Sequence, residues 1–288
     1  MRSSSYAKWI LSGEHSVVRG GKAIAFPLRK YECSIDFEKN DITSIKHNVL
    51  KPHYDLEEIF INLISDAVKL SDVDPEKLRG SFMISNNIPT NAGLGSSAAI
   101  CSNIAKLLTQ VGYSGDAFLL AKNLEDTFHK KSSGLDTAVA MTSSAIIFRG
   151  GEIVKHPKIS FWSDMILTYS GEKLPTSDCS EIIRNLFSEN RRFAQSLDET
   201  MGESVNLCEH GLEYGSFSAL KDGINLGCEV FEKWGLINER LERHIAMLKS
   251  NGAVAAKPIG SGLGGYVVSL WESKPKLAND ICLTLERP

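Results

Sequence analysis

The sequence predicts an α+β fold, on three observations. Strand-like and helical segments are mixed without the strict strand–helix alternation that a doubly wound parallel sheet requires. Glycine-rich turns lead into a helix near residue 96 and into a strand near residue 266. Hydrophobic residues make up 42% of the 288-residue chain, enough for one large domain or two ordinary ones.

Taken in order, residues 22–37 (KAIAFPLRKYECSIDF) mix β-branched, aromatic and alternating polar positions, the composition of strands. In 55–70 (DLEEIFINLISDAVKL), Ile59, Ile61, Leu63, Ile64, Ala67 and Val68 form a helical stripe behind an acidic first turn. Residues 81–89 (SFMISNNIP) read as a strand stopped by Pro89. Ile100, Ile104, Leu107, Leu108 and Val111 then mark one face of a helix. A second helix is predicted over 115–131, with Phe118, Leu120, Ala121, Leu124 and Phe128 on its apolar side. Segments 143–157 and 163–175 are strand-like, and 181–196, 215–234 and 236–250 are helical, before a final glycine-linked strand. A change of character after KHPKIS predicts a boundary near residue 160, hence domains 1–160 and 161–288.

Charge and composition exclude several classes of function. The formal net charge is −3 and no basic patch stands out, so a nucleic-acid partner is not expected. No apolar run approaches the ~20 residues that cross a bilayer, and Gly13, Glu14 and His15 interrupt the N-terminal apolar stretch too early for a signal peptide. Neither a membrane partner nor export is therefore expected. Six scattered cysteines (Cys33, Cys101, Cys179, Cys208, Cys228, Cys282), without a CxxC pair, read as reduced structural thiols of a cytoplasmic protein.

Residues 89–100, PTNAGLGSSAAI, combine a strand end, a glycine turn and a helix starting at Ser96 or Ser97. Unpaired amides and the positive end of the helix dipole at such a point favour an anion. The pattern is neither the Walker loop, because no lysine follows the glycine, nor the Rossmann fingerprint, because Ala98 occupies the third glycine position. A serine-capped helix behind an ordinary loop accounts for the same residues. Two distant segments share this ligand-facing composition: AKWILSGEHSVVRGGKAIAFPL (7–28) and AKPIGSGLGGYVVSL (256–270).

Together these segments resemble the GHMP kinase superfamily, and within it the mevalonate kinases most closely. Lys8, Ile10, Leu11, Gly13, Glu14, His15, Val17, Val18 and Gly20 look like the family's Lys-x-Ile-Leu-x-Gly-Glu-His-x-Val-Val-x-Gly. PTNAGLGSSAA is similar to its phosphate loop, and Lys257, Gly260, Gly262, Gly264 and Gly265 to its Lys-x-x-Gly-x-Gly-x-Gly-Gly. Glu125, His129, Ser133, Gly134 and Asp136 supply a fourth match, Glu-x3-His-x3-Ser-Gly-x-Asp. The motifs come in family order and near family spacing over nearly the whole chain.

The resemblance implies two domains, one like ribosomal protein S5 domain 2 and then a ferredoxin-like one. It implies transfer of the γ-phosphoryl group of ATP to the primary hydroxyl of mevalonate. Pro89, Asn91, Ala92, Gly93, Leu94, Gly95, Ser96, Ser97 and Ala98 would then surround the ATP phosphates. Ser97 and Glu125 would hold Mg2+, which favours oxygen ligands and keeps several waters. Asp136 would orient or deprotonate the acceptor hydroxyl, with Lys8 as the cation beside it. Glu14, His15, Ser133, Gly260, Ser261 and Gly262 would contact the acceptor. Each residue also has an ordinary role: an Asx turn for Asp136, a strand-end charge for Lys8, a solvated helix position for Glu125, a satisfied turn histidine for His15.

Acceptor identity turns on departures from related patterns. Galactokinases place Thr-Asp-Tyr where this chain has Ser16-Val17-Val18, and losing that Asp suits a small branched acid better than a hexose. Phosphomevalonate kinases typically carry Tyr in place of His15. The chain has His129-Lys130-Lys131-Ser132 where the family usually has His-Gly-x-Pro, and Ser261 and Leu263 where mevalonate kinases often have Ala and Gly. Lys130 and Lys131 are either solvated helix-end charges or partners of an anionic acceptor. A phosphomevalonate kinase or a galactokinase-like sugar kinase is thus the alternative within enzymes, and a non-catalytic ligand sensor the alternative of another class. A homodimer is compatible with all of them.

Overall fold

The computed structural model describes residues 1–49, 56–90, 92–128, 132–171, 176–273, 282–285 and 287. The chain runs β1 (Arg2–Ser12), β2 (Lys22–Lys39), β3 (Ser44–Val49), α1 (Leu56–Ser71), β4 (Gly80–Asn86), α2 (Ser96–Gln110), α3 (Ala117–Glu125) and α4 (Leu135–Thr142). It continues through β5 (Ile146–Arg149), β6 (Glu152–Lys155), β7 (Asp164–Tyr169), α5 (Thr176–Glu189), α6 (Arg191–Tyr214), α7 (Phe217–Lys233), α8 (Glu239–Ser250), β8 (Ala255–Pro258), β9 (Tyr266–Trp271) and β10 (Cys282–Thr284). The α+β class stands, with two sheets. Two compact units interleave in sequence: Met1–Lys8, Pro27–Thr90 and Leu94–Ser144 form one, Trp9–Phe26, Asn91–Gly93 and Ala145–Pro288 the other. Both β1 and β2 contribute to each unit.

In the first unit β2 pairs antiparallel with β4, and β3 joins β4 in parallel. Alternation puts Ile35 opposite Ile84 and Phe37 opposite Phe82, whose rings lie 4.7 Å apart, with Phe60 of α1 5.4 Å from Phe82. The predicted stripe of α2 is buried at Ile100, Ile104, Leu107 and Leu108, and α2 packs on α1, α3 and α4. Helix α3 is shorter than the predicted 115–131. It stops at Glu125, with Asp126 as its cap, and His129, Lys130 and Lys131 lie outside the described residues. Periodicity missed α4, whose eight residues are too few to show a repeat and mostly buried.

In the second unit Lys22–Ala25 of β2 pairs with β5, which pairs with β6, and a second antiparallel sheet has the order β10-β7-β9-β8. Trp9 stacks on Phe26 at 4.8 Å, with Trp162 edge-on to both. The helix predicted over 181–196 is in fact broken at Asn190, whose side chain caps Phe193 N at 3.2 Å; α6 then continues to Tyr214. Its contact face hides from a hydrophobicity scan because it is partly small and polar: Ser204, Cys208 and Gly211 face α7. Ser204 Oγ donates to Gly223 O at 2.7 Å, and Ser12 Oγ lies 2.7 Å from Ser204 Oγ.

The helices can approach so closely only because α7 presents glycine. A Cβ on Gly223 would lie 2.7 Å from Cys208 Sγ and 2.9 Å from its backbone N. Gly223→Ala is therefore expected to destabilise the protein by about 1–3 kcal/mol, read as a lower urea midpoint at unchanged slope.

Candidate active site

Backbone conformation builds the turn before α2. Gly93 and Gly95 both adopt φ +77°, which costs other L-residues about 1–2 kcal/mol. Leu94 is buried, and its carbonyl accepts the Lys8 amide at 2.9 Å, tying the turn to β1. The N-cap of α2 is Gly95, with no side-chain cap. Ser96, a candidate cap in the sequence, instead takes a hydrogen bond from Asn86 Nδ2 at 3.0 Å. The first-turn amides at Ser96, Ser97 and Ala98 therefore face no capping side chain, which is the arrangement an anion completes. Pro89 and Ala92 precede the turn, and Asn91 lies outside the described residues.

Lys8 and Asp136 come together. Lys8 is buried on β1, and its Nζ lies 3.0 Å from Asp136 Oδ1; the aspartate side chain keeps 29% exposure. Asp136 sits in the first turn of α4, behind Gly134 at φ +83°. Gly95 makes room for the pair: a Cβ there would stand 2.9 Å from Lys8 Cγ and 3.7 Å from Asp136 Oδ2. A side chain at Gly95 would thus crowd the ion pair.

Glu125, the last residue of α3, is 2% exposed. Burial first, then the nearby Asp136 charge, push its carboxyl up to about 7, against hydrogen bonds from Thr137 and Ser132 and the pull of Lys8. Ser132 Oγ at 2.9 Å and Thr137 Oγ1 at 2.5 Å both donate to Oε2, and Oε1 accepts none of the described hydrogen bonds. A buried oxygen ligand held by hydroxyls on one side, and disfavoured as a bare anion, fits a hard cation. Among the described residues no group of three His, Cys, Asp or Glu is gathered for a metal, as expected where phosphates and water fill most positions. The hydroxyls of Ser132 and Thr137 were not legible as site residues. Ser133 shapes the turn, its Oγ accepting Leu135 N at 3.2 Å.

In the second unit the Gly-Glu-His segment and the final glycine loop are joined. Glu14 Oε1 takes a 2.6 Å bond from Lys257 Nζ, with the two side chains 1% and 0% exposed. Lys257 also lies 5.2 Å from the Phe231 ring, and Gly227 leaves space for its stem. His15, at φ +57°, bonds the Ser261 carbonyl through Nε2 at 2.9 Å and meets Trp234 and Phe231 edge-on. Ser261 is buried, and the loop turns through Gly260 and Gly262 at φ +79° and +88°. Lys257 was visible only as a motif position; its pairing with Glu14, 243 residues away, leaves no local signal.

Residues 61–144 match the GHMP kinases N terminal domain. A mevalonate kinase of Pyrococcus abyssi is 26% identical over 304 residues, spanning 95% of this chain and 89% of that one. The fold is shared with the crystal structure of L. major mevalonate kinase in complex with R-mevalonate, at TM-score 0.78 and 21% identity over 95% of this chain and 87% of that one. The fold is also shared with a Streptococcus pneumoniae phosphomevalonate kinase in complex with phosphomevalonate and AMPPNP, at TM-score 0.75 and 17% identity over 95% of this chain and 92% of that one.

Two outcomes test this geometry. Lys257→Met alone strands a buried carboxylate and should cost about 3–5 kcal/mol, while adding Glu14→Gln should restore part of that, as read from paired unfolding curves. Gly95→Ala combines a left-handed backbone with contact against Lys8, and should lower stability by about 1–2 kcal/mol while weakening ATP binding in a nucleotide titration.

Proposed function

We propose that this protein is an ATP-dependent mevalonate kinase, transferring the γ-phosphoryl group to the primary hydroxyl of mevalonate. The supporting observation is the Lys8–Asp136 ion pair packed against Gly95, where the phosphate loop enters α2. The similarity to mevalonate kinases along 95% of the chain supports the choice of acceptor.

In this mechanism the amides at the start of α2 and the loop 89–98 cradle the ATP phosphates without side-chain competition. Asp136 accepts a hydrogen bond from the acceptor hydroxyl, orients its oxygen for in-line attack and takes its proton as the new O–P bond forms. Lys8 holds Asp136 in place and offsets negative charge on the transferred group. Ser97 and Glu125 would hold Mg2+, which when bound neutralises phosphate charge; Ser132 and Thr137 keep the Glu125 carboxylate oriented. His15, Ser133 and the loop Gly260–Ser261–Gly262 are assigned to the acceptor, with Glu14 supporting them through Lys257. The buried thiols of Cys33, Cys101 and Cys208 suit a reducing, cytoplasmic setting, and no described helix is long and apolar enough to cross a membrane.

ADP release measured with mevalonate, phosphomevalonate and galactose offered separately should show turnover on mevalonate. Turnover on phosphomevalonate alone would replace the acceptor, and ATP binding without turnover on any of them would indicate a sensor. Asp136→Asn should lower kcat by about a hundredfold or more while ATP affinity changes little; full activity would remove Asp136 from the mechanism.

A further inference from the structure

We propose that Lys106 is a positioning residue for phosphoryl transfer, clamping α4 to β1 so that Asp136 stays on Lys8. The inference rests on the kinase function proposed above. Lys106 lies on α2, and its Nζ donates to Ser4 O at 2.8 Å, Ser5 Oγ at 2.9 Å and Ala140 O at 2.9 Å. Three bonds use every proton of an ammonium group. Ser4 and Ser5 are on β1 just ahead of Lys8, and Ala140 is on α4 about one turn, roughly 6 Å, beyond Asp136. One side chain therefore grips the two elements that carry the ion pair, from a third element whose first turn forms the phosphate site.

Helix α4 needs such a grip. Eight residues are far too few to hold a helix together alone, so its position is set by tethers. Ala140 supplies one of the carbonyls left open in the last turn, and Arg29 Nη2 donates to the carbonyl of Ser143, which caps the helix, at 3.2 Å. Cations thus sit at the C-terminal end of α4 and Asp136 in its first turn, the charge order that the helix dipole favours. The clamp is reinforced on β1, where Ser5 Oγ donates to Asn103 Oδ1 at 2.8 Å and Asn103 Nδ2 donates to Cys33 O at 2.8 Å. All three acceptors of Lys106 are uncharged, and burial pulls its ammonium down to about 8. Geometry, not ion pairing, is what the lysine supplies here.

A lysine that only stabilised the fold would change the melting temperature and leave kcat alone below it. The test measures kcat, ATP affinity and melting temperature for Lys106→Met and Lys106→Gln in the full chain, each alone and combined with Asp136→Asn. Expected are a kcat lower by about tenfold, ATP affinity within about twofold of wild type, and no further loss once Asp136 is already replaced. Wild-type kcat in the folded single variants, or losses that multiply with that of Asp136→Asn, would overturn the proposal. Ser5→Ala keeps the ammonium but removes one acceptor. It should show the same split between kcat and ATP affinity, weaker in size, and unchanged kcat there would count equally against the clamp. A wild-type protein inactive on every acceptor would instead sink the kinase function, and this role with it.

Discussion

A buried lysine and a half-exposed aspartate hold each other 3.0 Å apart, and most of the first unit is arranged so that they can. The pair needs a strand to carry Lys8 inward, a short helix to present Asp136, and a residue without a side chain where the loop passes. Leu94 anchors that loop to the backbone of Lys8 itself, so the phosphate turn and the ion pair share one reference point. The Asp136 charge also reaches Glu125, raising the free energy of a second carboxylate beside it.

The second unit uses an ion pair differently. Glu14 and Lys257 are both sealed from water. Removing two charges from water is expensive, so such a pair serves specificity of arrangement better than net stability. It fixes the segment that carries His15 to the loop that carries Ser261, and the His15–Ser261 bond lies directly above it in sequence. Lys8 and Lys257 are thus the same residue type in opposite service, one meeting a partly exposed acid and the other locked.

Much of this was legible in the sequence because the informative residues are constrained locally. The stripe of α2 shows its period over about three turns, and glycines at positive φ mark turns wherever they fall. Family motifs likewise place Lys8, Ser97, Glu125 and Asp136 by spacing alone. What stayed hidden depends on distance in sequence or on shortness. Helix α4 has too few residues for a period, and α6 meets α7 through serine, cysteine and glycine. Ser132 and Thr137 reach Glu125 only because the chain folds back after α3, which no repeat announces. Serine before α2 looked like a cap, yet glycine takes that position because its conformation is left-handed.

The interleaving of the two units has a consequence for synthesis on the ribosome. Residues Trp9–Phe26 are synthesised well before Trp162, β5 and Lys257, which complete their surroundings and follow more than a hundred residues later. At ordinary elongation rates of about 5–20 residues per second, that interval is on the order of ten seconds. During it, an apolar strand rich in core residues waits without its final neighbours. Such long-range closure is slow and leaves edges exposed. The nascent chain is therefore most vulnerable to aggregation through the very segment that later carries Glu14 and His15.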